Sequence, residues 1–353
     1  MNEIWVAGCP SFMGGADTEL LHQIYLWRMN GYIVNIVPNG GPRSVPDNIK
    51  PVLKQLHCNT FMHYNGIFRN KTVVNYCNGP ALERLEVDSR PAYRFKKYIF
   101  FNCMTWVFEK EIEHIRKGNI THLGMISKYQ MAYLMKAYYE KLPDIFSTEK
   151  FPQVFFYTPY FDITGFNKSN IVKDYIGFGR ISRDDPSKFS TDCWKIFNNI
   201  SSPKPKKVFV LGISDKVLEK IGKPPPEMDF MFWSPGAITI DDFYSRIDVL
   251  IHKTGGSRES FGRTILEAMA YGVIPIVERD YAFPEILGGT IYENELDWLM
   301  CSTSDEMSYK ASHLAFNPEL MEHYKVILNE HLKLKFCNKE ECINQWNILL
   351  QTP

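Results

Sequence analysis

The chain has 353 residues, a length that predicts two domains, each with its own hydrophobic core. It carries 40 basic and 40 acidic side chains, so its formal net charge is zero and gives no support for binding nucleic acid through bulk charge. It has no basic-then-apolar leader and no apolar run of about 18 residues, which predicts a cytoplasmic protein without a membrane span. Its eight cysteines are scattered without a C-x-x-C pair, which predicts free thiols in a reducing compartment.

Residues 1–165 alternate short apolar runs with longer helical stretches. The apolar runs predict buried strands at Ile4–Gly8, Ile33–Val37, Thr72–Tyr76, Tyr98–Phe101 and His122–Ile126. The stretches between them predict helices at Thr18–Asn30, Phe108–Lys117 and Lys128–Lys141. This alternation is typical of a parallel sheet built from strand–helix–strand units.

Residues 141–170 are rich in proline and aromatic side chains, which interrupts the pattern and predicts a domain boundary. A second series follows, with strands at Tyr175–Gly179, Val208–Gly212, Phe230–Trp233, Val249–His252 and Val273–Val277 and helices at Thr191–Ile200, Asp215–Ile221, Ile240–Arg246 and Arg263–Tyr271. We predict an α/β protein of two doubly wound, Rossmann-like domains, 1–165 and 166–353, facing across a cleft. The terminal helices, within 318–350, can pack back on the first domain. Ligands of such sheets bind at the carboxyl ends of strands.

The most informative motif runs from the strand end at His252, through a glycine-containing loop, into a helix that stops at Gly272. The helix start at 260–262 presents unpaired N–H groups and the positive end of the helix dipole, which suits a phosphate. Glu259, beside this helix start, is placed to accept hydrogen bonds from the hydroxyls of a sugar. Glu267, two turns into the helix, is placed to accept hydrogen bonds from the hydroxyls of a ribose. The alternative is that Glu259 caps the helix and Glu267 faces solvent.

Two further loops follow predicted strands. In Gly177–Lys188, a predicted strand is followed by the cations Arg180, Arg183 and Lys188, and side chains of these types suit a diphosphate. Taken alone, this loop is equally well explained as a strand-to-helix connection with solvated charges. Gly14 and Gly15 follow the first strand and permit close approach of a ligand to a helix start, although a plain turn also explains them.

The stretch from Glu259 to Gly272 resembles the signature of the retaining glycosyltransferases of family 4, which have the GT-B fold. That signature is Glu, seven residues, Glu, then Ala-Met-Ala-x-Gly and a short strand. Residues 282–286, Ala-Phe-Pro-Glu-Ile, resemble the family's loop after that strand, so the match covers about 35 residues. The resemblance implies that Arg180 and Lys188 bind the diphosphate of the donor, with Arg183 placed to share the role of Lys188. It also implies that the glycine loop at the first strand closes on the donor phosphate and the acceptor.

Residue chemistry and resemblance together predict the site residues. The catalytic set is Arg180, Lys188 and Glu259. The donor-binding set is Gly14, Gly15, Arg183, Ser260, Phe261, Gly262, Thr264 and Glu267. Where the family often has a catalytic-site histidine, this chain has Asn102 and Cys103, and His63 is a second candidate on the acceptor side. A lone histidine is more often structural, so none of these three is predicted to be essential.

We predict no cofactor and no metal, because the chain contains no Asp-x-Asp pair and its cations, with the helix dipole, can neutralise a diphosphate. The predicted reaction moves a sugar from a nucleoside diphosphate to an acceptor hydroxyl. Retention of anomeric configuration is implied by the resemblance.

The acceptor separates the remaining hypotheses. A carbohydrate is the family's usual acceptor, and zero net charge favours it slightly. Hydroxymethylated bases in DNA are the alternative, since 90–98 interleaves aromatic side chains with cations that include Arg94, Lys96 and Lys97. A sugar-nucleotide epimerase and a non-catalytic sugar-nucleotide binder are further alternatives. The presence of Glu259, Arg180 and Lys188 argues against the binder.

Overall fold

The computed structural model describes residues 3–12, 14–63, 66–88, 95–166 and 173–351. The chain forms two compact units, one made of Met1–Asp162 with Asn338–Pro353 and the other of Ile163–Cys337. Compared with the predicted ranges of 1–165 and 166–353, the first unit ends slightly earlier and takes in the end of the chain.

Each unit contains a parallel sheet in the part of the chain that the structure describes. The first has seven strands in the order β3-β2-β1-β4-β5-β6-β7, with β1 Glu3–Ala7, β2 Ile33–Val37, β3 Asn59–Thr60, β4 Thr72–Tyr76, β5 Lys97–Phe101, β6 His122–Met125 and β7 Gln153–Phe156. The second has six strands in the order β10-β9-β8-β11-β12-β13, with β8 Ile176–Ile181, β9 Lys206–Leu211, β10 Phe230–Trp233, β11 Val249–His252, β12 Ile274–Glu278 and β13 Met300–Cys301. Parallel neighbours need crossover connections, and helices supply them.

The helices, in chain order, are α1 Gly15–Met29, α2 Lys50–Gln55, α3 Gly79–Asp88, α4 Glu109–Arg116, α5 Lys128–Lys141, α6 Cys193–Asn199, α7 Asp215–Ile221, α8 Ile240–Arg246, α9 Arg263–Tyr271, α10 Phe283–Leu287, α11 Glu293–Leu296, α12 Ser304–Phe316, α13 Pro318–Phe336 and α14 Lys339–Gln351. Short 3₁₀ turns occur at Pro42–Ser44, Pro186–Lys188 and Asp297–Leu299. No helix among the described residues is both long and apolar enough to cross a membrane.

The last helix, α14, packs on the first unit. The rings of Trp346 and Trp27 meet edge to face with their centroids 4.8 Å apart. Trp346 also donates its indole N–H to the Gln23 side-chain oxygen at 3.0 Å. The Lys97 ammonium donates to the carbonyl of Leu349 at 2.6 Å, where a cation also complements the helix dipole. These contacts tie the end of the chain to β5 and α1.

The burial of Lys97 corrects one sequence expectation. Lys97 was a candidate contact to DNA in the basic segment 90–98, yet only 3% of its surface is exposed and its ammonium is used by α14. Lys96 is exposed, and Arg94 lies outside the described residues. The pattern of charges alone does not separate a cation that faces solvent from one that ties a strand to a helix.

The second unit has an apolar core around β8, β9, β11 and β12. Phe178, Val208, Leu250 and Ile274 are fully buried within these strands. On the faces of the sheet, α12 packs against α6 and α13 packs against α9. The carboxyl ends of β8 and β11 lie side by side, because these two strands are parallel neighbours in the sheet.

Most of the predicted elements are confirmed, and several agree with the structure in both bounds: β2, β4, β10, β11, α5, α7, α8 and α9. The sequence prediction missed β3 and β13, which have two residues each, and β7, which lies in the proline-rich stretch. It also left five helices unassigned: α2, α3, α10, α11 and α12. The stretch 318–350 is two helices, α13 and α14, which fall in different units. All eight cysteines lie among the described residues, and none of them forms a disulfide.

Candidate active site

Arg180 lies near the end of β8 and is turned into the protein, with 2% of its surface exposed. Its guanidinium donates to the carbonyls of Ile181 and Lys188, the latter at 2.6 Å, and lies over the ring of Phe189. Burial lowers the pKa of Arg180 from its usual value. Arg180 therefore holds the backbone of the loop that carries Lys188. Its two terminal nitrogens donate three hydrogen bonds within the protein, whereas its buried Nε has no partner among the described residues.

Lys188 ends the short 3₁₀ turn after β8, and its ammonium forms an ion pair with the carboxylate of Glu259 at 2.7 Å. The two side chains are 12% and 15% exposed. Glu259 lies in the loop between β11 and α9. The structure thus brings together two of the three predicted catalytic side chains, from loops at the carboxyl ends of neighbouring strands.

The two loops are fastened to each other through their backbones. The N–H groups of Gly255 and Ser257 donate to the carbonyl of Ser187 at 2.9 and 3.1 Å. A Cβ at position 255 would lie 2.0 Å from the carbonyl oxygen of Phe189, so only glycine allows this approach. The ammonium of Lys220 donates to the carbonyls of Pro186 and Gly255 at 2.9 and 2.8 Å. The positions of Lys188 and Glu259 are therefore set by a backbone contact between the loops.

His252 is the last residue of β11 and extends the contacts of Arg180. Arg180 donates to His252 Nδ1 at 2.9 Å, and because a guanidinium only donates, Nδ1 accepts and the ring proton lies on Nε2. Burial, followed by the positive charges of Arg180 and Lys188, holds the pKa of His252 well below its usual value. The sequence analysis used His252 only to mark the end of a strand. The signal for a site residue was its position at the carboxyl end of that strand, directly before the loop that carries Glu259.

The N-terminus of α9 follows Glu259 directly. Gly262 is the residue before the helix and has a left-handed backbone with φ of 83°, and no side chain caps the helix there. A Cβ at Gly262 would lie 2.8 Å from the Phe283 ring, so the turn requires glycine on two grounds. The side chain of Phe261 is buried against the ring of Phe336, so this residue can offer only its backbone to a ligand. Ser260 and Thr264 are half-buried at the same turn.

Glu267 lies farther along α9 and is half-buried beside Tyr244. Burial raises its pKa, while the charge of Arg263 and a hydrogen bond from the Tyr244 hydroxyl act in the opposite direction. The rings of Tyr244 and Tyr271 stack with centroids 4.7 Å apart. Glu267 therefore does not stand free on the solvent face of the helix, which is the arrangement that the alternative reading of the sequence required.

The remaining predicted donor residues are Arg183, Gly14 and Gly15. Arg183 is exposed in the loop after β8. Burial opposes the ionisation of Asp185 in the same loop, but hydrogen bonds from Ser187, followed by the charges of Lys188 and Arg183, lower the pKa of Asp185. Gly14 and Gly15 belong to the first unit. Gly14 precedes α1 with φ of 90°, and a Cβ added there would meet no atom within 4 Å.

Asn102 and Cys103 follow β5 in the first unit and are buried. The Asn102 amide donates to Glu111 at 2.7 Å and to the carbonyl of Trp106 at 3.0 Å, and its oxygen accepts the N–H of Met104. A hydrogen bond with Cys77, together with burial, raises the pKa of Cys103 well above its usual value. These contacts give Asn102 and Cys103 internal roles.

His63 is half-buried, with its ring centroid 6.0 Å from that of Phe68. The acceptor-side role of His63, Asn102 and Cys103 stays a prediction.

Several residues near the site were not predicted. Thr254 donates its N–H to Glu278 at 2.8 Å, and burial raises the pKa of this glutamate.

Within the described ranges, no three His, Cys, Asp or Glu side chains are grouped so that they could hold a metal ion. Independence of the reaction from metal stays a prediction.

Comparison with known proteins places this site in a family context. Residues 225–292 match the model of the glycosyl transferases group 1, a range that includes His252, Glu259 and Glu267. No curated protein matches the sequence.

Solved structures match almost the whole chain. HepE of Anabaena in complex with UDP and glucose is 13% identical, with a TM-score of 0.69 over 99% of each chain. A glycosyltransferase from Rickettsia africae is 12% identical, with a TM-score of 0.66 over 100% of this chain and 99% of that one. A trehalose-6-phosphate synthase studied for glycosyltransfer with retention is 9% identical, with a TM-score of 0.62 over 100% of both.

At such identities the shared feature is the fold, and the predicted fold class is confirmed. The protein therefore has the two-domain α/β fold of the GT-B glycosyltransferases, and its residues 225–292 match the family model of the glycosyl transferases group 1.

Proposed function

We propose that this protein transfers a sugar from a nucleoside diphosphate to an acceptor hydroxyl, with retention of configuration. The observation that carries the proposal is the pairing of Lys188 with Glu259 at the carboxyl ends of β8 and β11, beside the start of α9. A cation and helix N–H groups suit a diphosphate, and a carboxylate next to them suits sugar hydroxyls. UDP is the first nucleotide to test, because the similar HepE was solved with UDP and glucose.

The proposed chemistry places the developing negative charge where this chain has positive groups. The bond between the anomeric carbon and the diphosphate oxygen breaks, and the Lys188 ammonium and the α9 N–H groups stabilise the leaving diphosphate. The acceptor oxygen bonds to the anomeric carbon on the same face, and its proton passes to the diphosphate. Glu259 holds sugar hydroxyls, and Glu267, oriented by Tyr244, holds the ribose. Retention is proposed from the family resemblance and from the similar trehalose-6-phosphate synthase.

Arg180 has a supporting role in this proposal. Its guanidinium is buried and bonded to the carbonyls of Ile181 and Lys188, so it orients the Lys188 loop and adds positive charge behind it. This differs from the direct diphosphate contact that the resemblance implies.

A carbohydrate is the proposed acceptor. The DNA alternative relied on the four cations of 90–98, of which Lys97 is buried and bonded to α14. A neutral glycan is bound through hydroxyl contacts, so moderate salt should change the reaction little, whereas phosphate contacts with DNA make binding fall steeply with salt.

The test is a screen of nucleoside diphosphate sugars for hydrolysis and transfer, with and without glycan and hydroxymethylcytosine-containing DNA acceptors. We expect release of nucleoside diphosphate, stimulated by a glycan, and a product that keeps the anomeric configuration of the donor. Transfer to DNA alone would overturn the proposed acceptor, and conversion of one nucleotide sugar into its epimer would identify an epimerase. Absence of turnover and of binding for every nucleotide sugar would overturn the proposed function.

A further inference from the structure

The ion pair between Lys188 and Glu259 joins the two residues that the proposed function assigns to different parts of one ligand. Lys188 is assigned to the diphosphate and Glu259 to the sugar, yet in the structure the ammonium and the carboxylate are 2.7 Å apart. A diphosphate that binds Lys188 must therefore compete with this carboxylate and also tolerate its negative charge nearby.

Neither residue has a backbone that moves away easily. Lys188 accepts a hydrogen bond from Arg180 at its carbonyl and donates its N–H to the carbonyl of Asp185 at 2.9 Å. The carbonyl of Glu259 accepts the N–H of Ala282 at 3.3 Å. Because both side chains are also mostly shielded from solvent, their mutual attraction is screened less than that of a surface pair. Competition between Glu259 and a bound diphosphate is thus built into the site.

We infer that Glu259 sets the selectivity of this site for the sugar-bearing donor over the free nucleoside diphosphate. This inference rests on the proposed function. When the intact donor binds, the sugar hydroxyls donate hydrogen bonds to the Glu259 carboxylate and draw it from Lys188, which then pairs with the diphosphate. When the sugar has been transferred, those hydroxyls leave, the carboxylate returns to Lys188, and the diphosphate is displaced. Glu259 thereby also promotes product release.

The experiment compares binding of nucleoside diphosphates and a donor by calorimetry. UDP, GDP, ADP and UDP-glucose are titrated into the wild-type chain, Glu259→Gln, Lys188→Met and the double variant. Asp305→Asn is the matched control, because Asp305 pairs with Lys195 at 3.0 Å on the surface of the same unit, with side chains 73% and 56% exposed. Thermal unfolding of each variant establishes that it is folded before binding is interpreted.

The inference expects Glu259→Gln to lower the dissociation constant of the bound diphosphate about tenfold, within the usual range of coupling between contacting residues. The affinity for the intact donor should not rise, so the preference for donor over product falls. The gain should vanish in the double variant, because it depends on the freed Lys188, and should be absent in Asp305→Asn.

Two results would overturn the inference while leaving the proposed function in place. One is a Glu259→Gln variant that binds the diphosphate with unchanged or weaker affinity, which is the result expected if the ion pair only fastens the two loops. The other is an equal gain in the double variant. If no form of the protein binds any of the four probes and none turns over, the proposed function fails together with the inference.

Discussion

Lys188 and Glu259 are 71 residues apart in the chain, and their side chains form a 2.7 Å ion pair that is mostly shielded from solvent. They meet because β8 and β11 are adjacent in the sheet although β9 and β10 lie between them in sequence. At this point the loop that carries Lys188 and the loop that carries Glu259 are joined by two backbone hydrogen bonds to the carbonyl of Ser187. This is the position where an open parallel sheet places its ligand site.

Replacing Lys188 by Ala should lower kcat/KM by about 10²–10³, because one charge-stabilising contact to the leaving group is lost. The measurement is steady-state release of nucleoside diphosphate. Lys195→Ala is the matched control, since Lys195 is an exposed lysine of the same unit. Equal losses in the two variants would remove Lys188 from the site.

Replacing Arg180 by Ala should both unfold the protein at lower urea and reduce turnover. The carbonyls of Ile181 and Lys188 and Nδ1 of His252 lose their donor, and each buried acceptor left unsatisfied typically costs about 1–3 kcal/mol. Arg180→Lys keeps the charge but not the paired N–H donors, so it should restore only part of the loss. A variant with wild-type stability and strongly reduced turnover would instead assign Arg180 to direct contact with the diphosphate.

Replacing Glu267 by Gln should raise KM for the donor about tenfold or more and change kcat less, because hydrogen bonds from ribose to a charged acceptor are weakened. Preference for a ribose donor over its 2′-deoxy counterpart should fall at the same time. Tyr244→Phe should show a smaller change in the same direction. Glu259→Gln, in contrast, should reduce kcat more than Glu267→Gln does, and a reversal of this order would contradict the assignment of Glu259 to the sugar.

Glu111 predicts a pH dependence of folding stability. Burial raises its pKa in the folded protein to about 7, above the ordinary carboxyl value, so the folded state holds a proton that the unfolded state has lost. Its contribution is fully present below the unfolded pKa and is lost as the pH rises towards 7, with a slope of at most about 1.4 kcal/mol per pH unit. Urea unfolding between pH 4.5 and 7 should show this loss in the wild type, and Glu111→Gln should remove it. An unchanged slope in that variant would show that another group titrates.

Removal of divalent metal with EDTA should leave turnover unchanged, since Lys188 and the start of α9 are proposed to carry the diphosphate charge. The assay is repeated after addition of Mg²⁺ and of Mn²⁺. Complete loss in EDTA with recovery on adding either ion would assign that charge to a metal.

Helices and strands with local sequence signals could be predicted from the amino-acid sequence alone. Helix α9 was predicted in both bounds because an apolar stripe runs between a glycine at its start and Gly272 at its end. Strand β11 was predicted because the apolar run Val249-Leu-Ile and His252 precede the glycine-containing loop that leads to α9. The same stretch supplied Glu259 and Glu267 as candidates, since their spacing and the helix start are properties of neighbouring residues.

The partners of the polar side chains could not be predicted in this way, because they depend on how distant elements pack. The sequence shows that Arg180, Lys97 and Asn102 are polar residues near strand ends or starts. It does not show that Arg180 donates to the Lys188 carbonyl, that Lys97 donates to a carbonyl near the end of α14, or that Asn102 donates to Glu111. Each of these contacts joins a strand residue to a group on another element, and which groups arrive beside a strand end depends on strand order and helix packing. A pattern along the chain reports the period of burial, whereas the partner of a buried charge is set by elements that are distant in sequence.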